Sequence, residues 1–198
     1  MEPDESRLEF GRIDPEQLTF EARGEFLREK GDDDGCLAVS ADGGMVASLQ
    51  QKDGQVELVL YRAGQPEQRL PLSTEREFEG IGNLVIAPQA DRAYAVGFGS
   101  RPGEIEKRCD LIEIPLDGTP ARFIPLFVPT ASLEDSDLLC LQVGLSPDGQ
   151  AAALASTYLT TDDAKVSADD CALFLVNLAD RERSVTRVPI AQPQTTDR

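Results

Sequence analysis

The chain alternates between short apolar runs and polar turns, and this order of runs and turns repeats three times. Each unit has an apolar run, a turn rich in Ser, Pro, Asp or Gly, a second apolar run, and then a third and a fourth run separated by further turns. The leading turns lie at residues 40–43, 87–91 and 146–149. Short apolar runs bounded by turn residues predict β-strands. A unit repeated at this period is typical of propellers and solenoids.

The repeat predicts the organisation of the whole chain. We expect an all-β protein with three propeller-like blades of about four antiparallel strands each, preceded by an extension that contains strands. The predicted segments are an N-terminal extension (1–35), a blade domain (36–190) with blades at 36–72, 83–126 and 139–190, and a loose polar tail (191–198). Acidic linkers are expected at 73–82 and 127–138. Pro71, Pro125 and Pro189 each fall in a fourth run, which indicates edge strands because proline lacks a backbone donor.

The turn of the third unit carries a recognisable motif, since residues 145–153 read Leu-Ser-Pro-Asp-Gly-Gln-Ala-Ala-Ala. This segment resembles the PD40, or WD40-like, repeat of TolB-type β-propellers, in which a Ser-Pro-Asp-Gly turn links an apolar strand to a strand of small residues. The resemblance covers roughly residues 36–190. It is good in the third unit, fair in the first, and degraded in the second, where Pro-Gln-Ala-Asp stands at 88–91. It implies a partial or small propeller and carries no chemistry with it.

Three blades are fewer than the about 4 to 8 that form an ordinary closed propeller. Three arrangements remain open: two chains form a ring of six blades, the N-terminal strands help to form a fourth blade, or the array stays open. In the N-terminal extension, apolar and polar residues alternate at 8–10 and 18–22, as they do in a half-buried strand. The stretch 25–30 fits either a strand or a short helix. Because exposed blade sides are apolar, we expect a partner or self-association.

Composition and charge exclude several classes of function. The chain has 198 residues, 40% of them hydrophobic, which is enough for a packed core. It contains no histidine, so a Ser-His-Asp or Cys-His site within it is impossible. It contains no tryptophan, so the strict WD40 signature cannot be complete. The net charge of −17 repels nucleic acid and anionic lipid and favours a partner with a basic surface.

The sequence favours a cytoplasmic location and reduced thiols. No apolar stretch approaches the ~20 residues that span a bilayer, and the acidic start Met-Glu-Pro-Asp-Glu-Ser lacks the form of a signal peptide. The four cysteines include no CxxC pair. Cys36 and Cys140 open the first run of their units, and Cys109 and Cys171 open the third. Equivalent placement favours buried thiols over disulfides.

Two loops hold the candidate contact residues. The acidic loop 160–170 and the glycine-rich loop 97–103 together supply the predicted partner-binding set, which is Arg101, Asp162, Asp163, Asp169 and Asp170. The acidic loop has oxygen ligands that suit Ca2+, but it lacks the ligand order and central glycine of an EF-hand. The glycine-rich loop lacks a Walker lysine. We assign no catalytic residue, no metal ligand and no cofactor.

The favoured function is a non-catalytic protein–protein interaction or scaffold module within a larger assembly, because the repeat specifies blades rather than a reaction. The expected partner is another protein with a basic surface, or a second copy of the chain, and neither nucleic acid nor a membrane. A carboxylate-dependent hydrolase or a Ca2+-dependent ligand-binding propeller is the alternative, since the chain contains 36 Asp and Glu residues. The sequence singles out no pair of carboxylates for either chemistry.

Overall fold

The computed structural model describes residues 5–14, 16–17, 19–29, 36–52, 55–72, 77–100, 108–127, 139–158 and 172–189. Within these residues the chain is all-β, as predicted, and forms four antiparallel sheets. A two-stranded hairpin comes first, and three four-stranded sheets follow, which we call the first, second and third blades. The stretch that fitted either a strand or a short helix belongs to a strand as far as Glu29.

Each blade consists of four strands that are neighbours both in sequence and in space. The hairpin consists of β1 (Glu5–Asp14) and β2 (Thr19–Glu29), and the first blade consists of β3 (Leu37–Val39), β4 (Met45–Lys52), β5 (Gln55–Arg62) and β6 (Gln68–Pro71). The second blade consists of β7 (Glu77–Ile86), β8 (Arg92–Ser100), β9 (Arg108–Pro115) and β10 (Arg122–Phe127). The third blade consists of β11 (Leu139–Leu145), β12 (Ala151–Tyr158), β13 (Ala172–Asn177) and β14 (Val185–Pro189). The fourth strand of every blade lies at a sheet edge, which confirms the position predicted from its proline.

The hairpin has one apolar side and one charged side. Phe10 and Phe26 lie on the apolar side and are buried against the first blade. Phe26 stacks on Tyr61 of that blade, with ring centroids 4.4 Å apart. On the other side, Arg7 pairs with Glu25. The hairpin therefore covers the first blade and presents to the solvent both charged residues and, near its tip, two exposed apolar side chains.

The second blade begins earlier than expected. Its first strand starts at Glu77, inside the stretch 73–82 that we expected to be a linker. Two register shifts interrupt this strand, and Asn83 next to one of them has a φ of 44°. Bulges leave residues unpaired and change which side the following residues face. The alternation of apolar and polar residues that marks a strand is therefore interrupted in the sequence, although the strand continues.

The leading turn of the first blade is held by its aspartate. The carboxylate of Asp42 accepts hydrogen bonds from the hydroxyl of Ser40 at 2.6 Å and from the amide of Gly44 at 3.0 Å. These two hydrogen bonds lower the pKa of the Asp42 carboxyl below its usual value. Gly43 adopts a φ of 69°, which L side chains resist. Asp42 thus has a structural role.

The third blade repeats this geometry, and the second blade replaces it. Ser146 and the amide of Gln150 donate to the carboxylate of Asp148 at 2.6 and 3.0 Å. In the second blade Ala87 supplies no hydroxyl, and the turn keeps the backbone hydrogen bond that closes all three turns, here from the amide of Ala90 to the carbonyl oxygen of Ala87 at 2.8 Å. Ala90 has a φ of 53° where the other turns have glycine. The degraded motif still forms the same turn.

Three buried clusters connect the hairpin and the blades in a row. One joins the hairpin to the first blade, the next joins the first and second blades, and the last joins the second and third. In the first blade, Leu58 packs in the cluster shared with the second blade and Val59 in the cluster shared with the hairpin, and both are fully buried. The order in space is hairpin, first blade, second blade and third blade.

Candidate functional site

The third blade has one covered side and one exposed side. Phe174 and Val176 are buried against the second blade, whereas Leu175 between them is 43% exposed. Residues paired across the strands share a side, as Leu173 does with Val188. We call the exposed side the outward face; it consists of Gln142, Gly144, Ala151, Ala153, Ala155, Leu173, Leu175, Asn177, Thr186 and Val188.

The outward face carries no charge on any of these ten residues. Seven of the ten are apolar, counting Gly144, and Val188 at the outer edge is 39% exposed. Charged residues make up 28% of the chain and typically about 25–35% of a soluble surface. An uncharged sheet side of this size is typical of an interface rather than of a surface that meets only water.

The two ends of the row differ in chemistry. At one end the hairpin covers the first blade and exposes charged residues such as Arg7 and Glu25, together with Ile13 and Phe20, which are 68% and 53% exposed. At the other end the outward face leaves Leu175 and Val188 exposed. Arrays of stacked repeats need terminal elements with a polar outer side. The hairpin meets this need in part, through its charged residues, whereas the outward face has no charged residue among its ten.

The sequence of β13 contains a signal for this face. Residues 172–176 read Ala-Leu-Phe-Leu-Val without a polar residue. A continuous apolar run is typical of a strand that is covered on both sides, whereas a half-exposed strand alternates. The second blade covers only the side of Phe174 and Val176. The sequence of this strand therefore fits a third blade that is covered on its outward side as well.

A groove lies where the inner strands β3, β7 and β11 approach one another. Its volume is about 420 Å³, and Ala38, Val39, Ala41, Leu84, Val85, Ile86, Pro88, Leu145, Ser146 and Pro147 line it. The hydroxyl of Ser146 is already bonded to Asp148, and its oxygen accepts the amide of Ala151 at 2.9 Å. The lining contains no acid, base or thiol. This groove offers nothing for general acid–base or nucleophilic catalysis.

A buried ionic cluster joins the second and third blades. Glu113 accepts hydrogen bonds from Arg92 at 2.6 Å and from Arg183 at 2.8 and 3.0 Å. Burial by itself raises the pKa of Glu113, but the hydrogen bonds from Arg183 and Arg92 outweigh it, so the pKa lies below its usual value. Glu113 is ionised at neutral pH and is fully engaged by the two guanidinium groups. The cluster therefore links the second blade to the third.

The five contact residues predicted from sequence, Arg101, Asp162, Asp163, Asp169 and Asp170, all lie outside the described residues. Across the part of the chain that the structure describes, no group of three or more Cys, Asp or Glu side chains is arranged to hold a metal ion. No helix in that part is long and apolar enough to cross a membrane. Cys36 and Cys109 are free thiols, and Cys109 is completely buried.

Comparisons with known proteins find likenesses among solved structures and none among sequences. No family model matches the chain, and no curated protein sequence matches it. Among solved structures, TolB from Acinetobacter baumannii is similar over 89% of this chain, with a TM-score of 0.47 and 12% sequence identity. The chain covers 36% of the TolB chain. This likeness says nothing about the activity or the partners of the chain.

Proposed function

We propose that the chain is a non-catalytic protein-binding module that docks a partner on the outward face of the third blade. The observation that carries this proposal is the outward face itself, a sheet side on which Leu175 and Val188 are exposed and none of the ten residues is charged. Burying such a face would contribute about 25 cal/mol per Å² of apolar surface.

The state of the acidic residues supports binding rather than catalysis. In the described residues, Asp42 and Asp148 hold turns, and Glu113 joins two blades. A carboxyl group that acts as a general acid at neutral pH needs a raised pKa. The pKa of each of these three carboxyl groups is lowered instead. No observation on the described residues favours the hydrolase or the Ca2+-dependent alternative over the binding module.

Native mass measured by light scattering tests the proposal. The chain purified alone should be a monomer of 21.5 kDa, and the chain drawn from its own cell lysate should be part of a larger species. The Leu175→Gln variant should lose that species, while Phe20→Gln, a matched control at another exposed apolar residue, should keep it. The retained protein is then identified and mixed with the purified chain. An assembly that survives Leu175→Gln, or the absence of any assembly, would refute the proposal.

A further inference from the structure

We infer that the partner of the outward face presents an apolar β-sheet side bordered by lysine and arginine residues. This inference rests on the proposed function and adds the chemistry of the partner. It depends on three observations, which are the size of the face, its flatness and the charge of the chain that carries it.

The outward face is too small for a stable dimer of this chain. Four strands about 4.8 Å apart and about six residues long, at about 3.3 Å per residue, span roughly 400 Å². Two copies that met through this face would together bury roughly 800 Å², which is less than the about 1,200–2,000 Å² of stable specific interfaces. A stable complex therefore needs attraction from outside the face, and a second copy does not supply it.

The face is flat enough for another sheet to pack on it. Gly144, Ala151, Ala153 and Ala155 lie in its two inner strands and have small side chains or none. Leu175, in the next strand, has a larger side chain and is exposed. Sheets pack face to face at about 10 Å with interdigitated side chains. Larger apolar residues of a partner sheet fit over the small residues, as they do between neighbouring blades.

Charge decides between a second copy and a different protein. The chain carries a net charge of −17, so two copies repel each other and a basic partner is attracted. Since the outward face itself is uncharged, the complementary charges of the partner belong at the border of its apolar side. Attraction at the border then adds to burial at the centre.

Three fluorescently labelled, disulfide-cyclised β-hairpin peptides test the inference. The first has a Val/Leu side and four lysines at its strand ends, the second replaces the lysines by glutamates, and the third keeps the lysines and replaces Val/Leu by Ser/Thr. Binding to the full chain is measured by fluorescence anisotropy at about 50 and about 300 mM NaCl, which changes the screening of charges. We expect the first peptide to bind at least ~10-fold more tightly than either of the others at low salt, with a smaller advantage over the glutamate peptide at high salt.

Two variants make the outcomes distinguishable. Leu175→Gln should weaken binding of the first peptide at least ~5-fold, and Phe20→Gln, at the hairpin tip, should leave it unchanged. If the lysine and glutamate peptides bind equally well, and both lose binding to the Leu175→Gln variant, the inference of a basic partner is overturned while the docking face stands. If binding is changed neither by Leu175→Gln nor by replacing the Val/Leu side of the peptide, the docking face is overturned as well. Failure of all three peptides to bind would overturn the inference, as would a chain that dimerises through Leu175 to twice 21.5 kDa.

Discussion

Arg183 in the third blade donates two hydrogen bonds to Glu113 in the second blade, from Nε to Oε2 at 3.0 Å and from Nη2 to Oε1 at 2.8 Å. The side chains of Glu113 and Arg183 are only 7% and 13% exposed. Arg183 also has a φ of 56°, and its Nη1 donates to the carbonyl oxygen of Asp180 at 2.8 Å. A non-glycine residue in this conformation costs on the order of 1 kcal/mol. The ion pair therefore stabilises a turn whose backbone conformation at Arg183 is unfavourable for a residue other than glycine.

Replacing Glu113 by Gln should destabilise the chain. The variant leaves the buried guanidinium of Arg183 without its carboxylate, so we expect a loss of about 2–4 kcal/mol in the free energy of unfolding. Urea unfolding followed by circular dichroism measures this loss. As a control, Glu25→Gln breaks an exposed pair with Arg7 and should change stability little. Similar effects for the two variants would contradict the structural role of Glu113.

Stability should fall on acidification, and Glu113 should contribute to the fall. The folded-state pKa of Glu113 lies below its ordinary value of 4.5, so its stabilisation is present above that value and is lost as the pH falls through the folded-state pKa. The difference in free energy of unfolding between wild type and Glu113→Gln should therefore shrink between about pH 5 and about pH 3. Denaturant titrations at several pH values measure it. A difference that stays constant over this range would show that Glu113 is not stabilised as an anion.

Gly43 should be more sensitive to substitution than Gly64, although both have a φ of 69°. A Cβ atom at residue 43 would lie 2.4 Å from the carbonyl oxygen of Gly11 in the hairpin, whereas a Cβ at residue 64 meets nothing within 4 Å. Gly64→Ala should cost about 1 kcal/mol from backbone strain alone. Gly43→Ala carries the same strain and must also displace the hairpin.

Tyrosine emission gives a direct readout of that displacement, because the chain has no tryptophan and Tyr61 stacks on Phe26 of the hairpin. The free energy of unfolding should fall by at least ~1 kcal/mol more for Gly43→Ala than for Gly64→Ala, with a change in tyrosine emission before global unfolding. Equal costs, with unchanged emission, would mean that the hairpin does not approach the first turn this closely.

Cys109 should be unreactive in the folded chain. Burial raises the pKa of its thiol far above the usual value, so the reactive thiolate does not form at neutral pH. In a variant that keeps Cys109 and replaces the other three cysteines by serine, Ellman's reagent should react only after denaturant is added. Rapid labelling of the native variant, at the rate of a free thiol, would contradict this burial.

The strands and turns were predictable because their signals are local. Ser40 and Asp42 act on amides within a few residues, so the sequence of the turn contains all of its partners. The start of β7 was not predictable, since two bulges hide its alternation. The contact between Glu113 and Arg183 joins residues 70 apart in the sequence. Nothing near either residue marks the other as its partner.

The candidate site was less predictable than the fold. Charge and loop position led to Arg101 and four aspartates, which all lie outside the described residues. The apolar run of β13 pointed instead to the side of a sheet, but a run by itself does not show which side lacks a cover. That distinction needed the packing of Phe174 against the second blade and the exposure of Leu175.

The charged outer side of the hairpin gives the row a direction. A blade added before β1 would have to displace Arg7 and Glu25 from water, which costs several kcal/mol per ion, whereas a blade added after β14 would meet an apolar side ready to receive it. Growth of this architecture by duplication is therefore favoured at the third blade. Every such addition would occupy the outward face, so lengthening the array and recruiting a separate protein are mutually exclusive uses of the same surface.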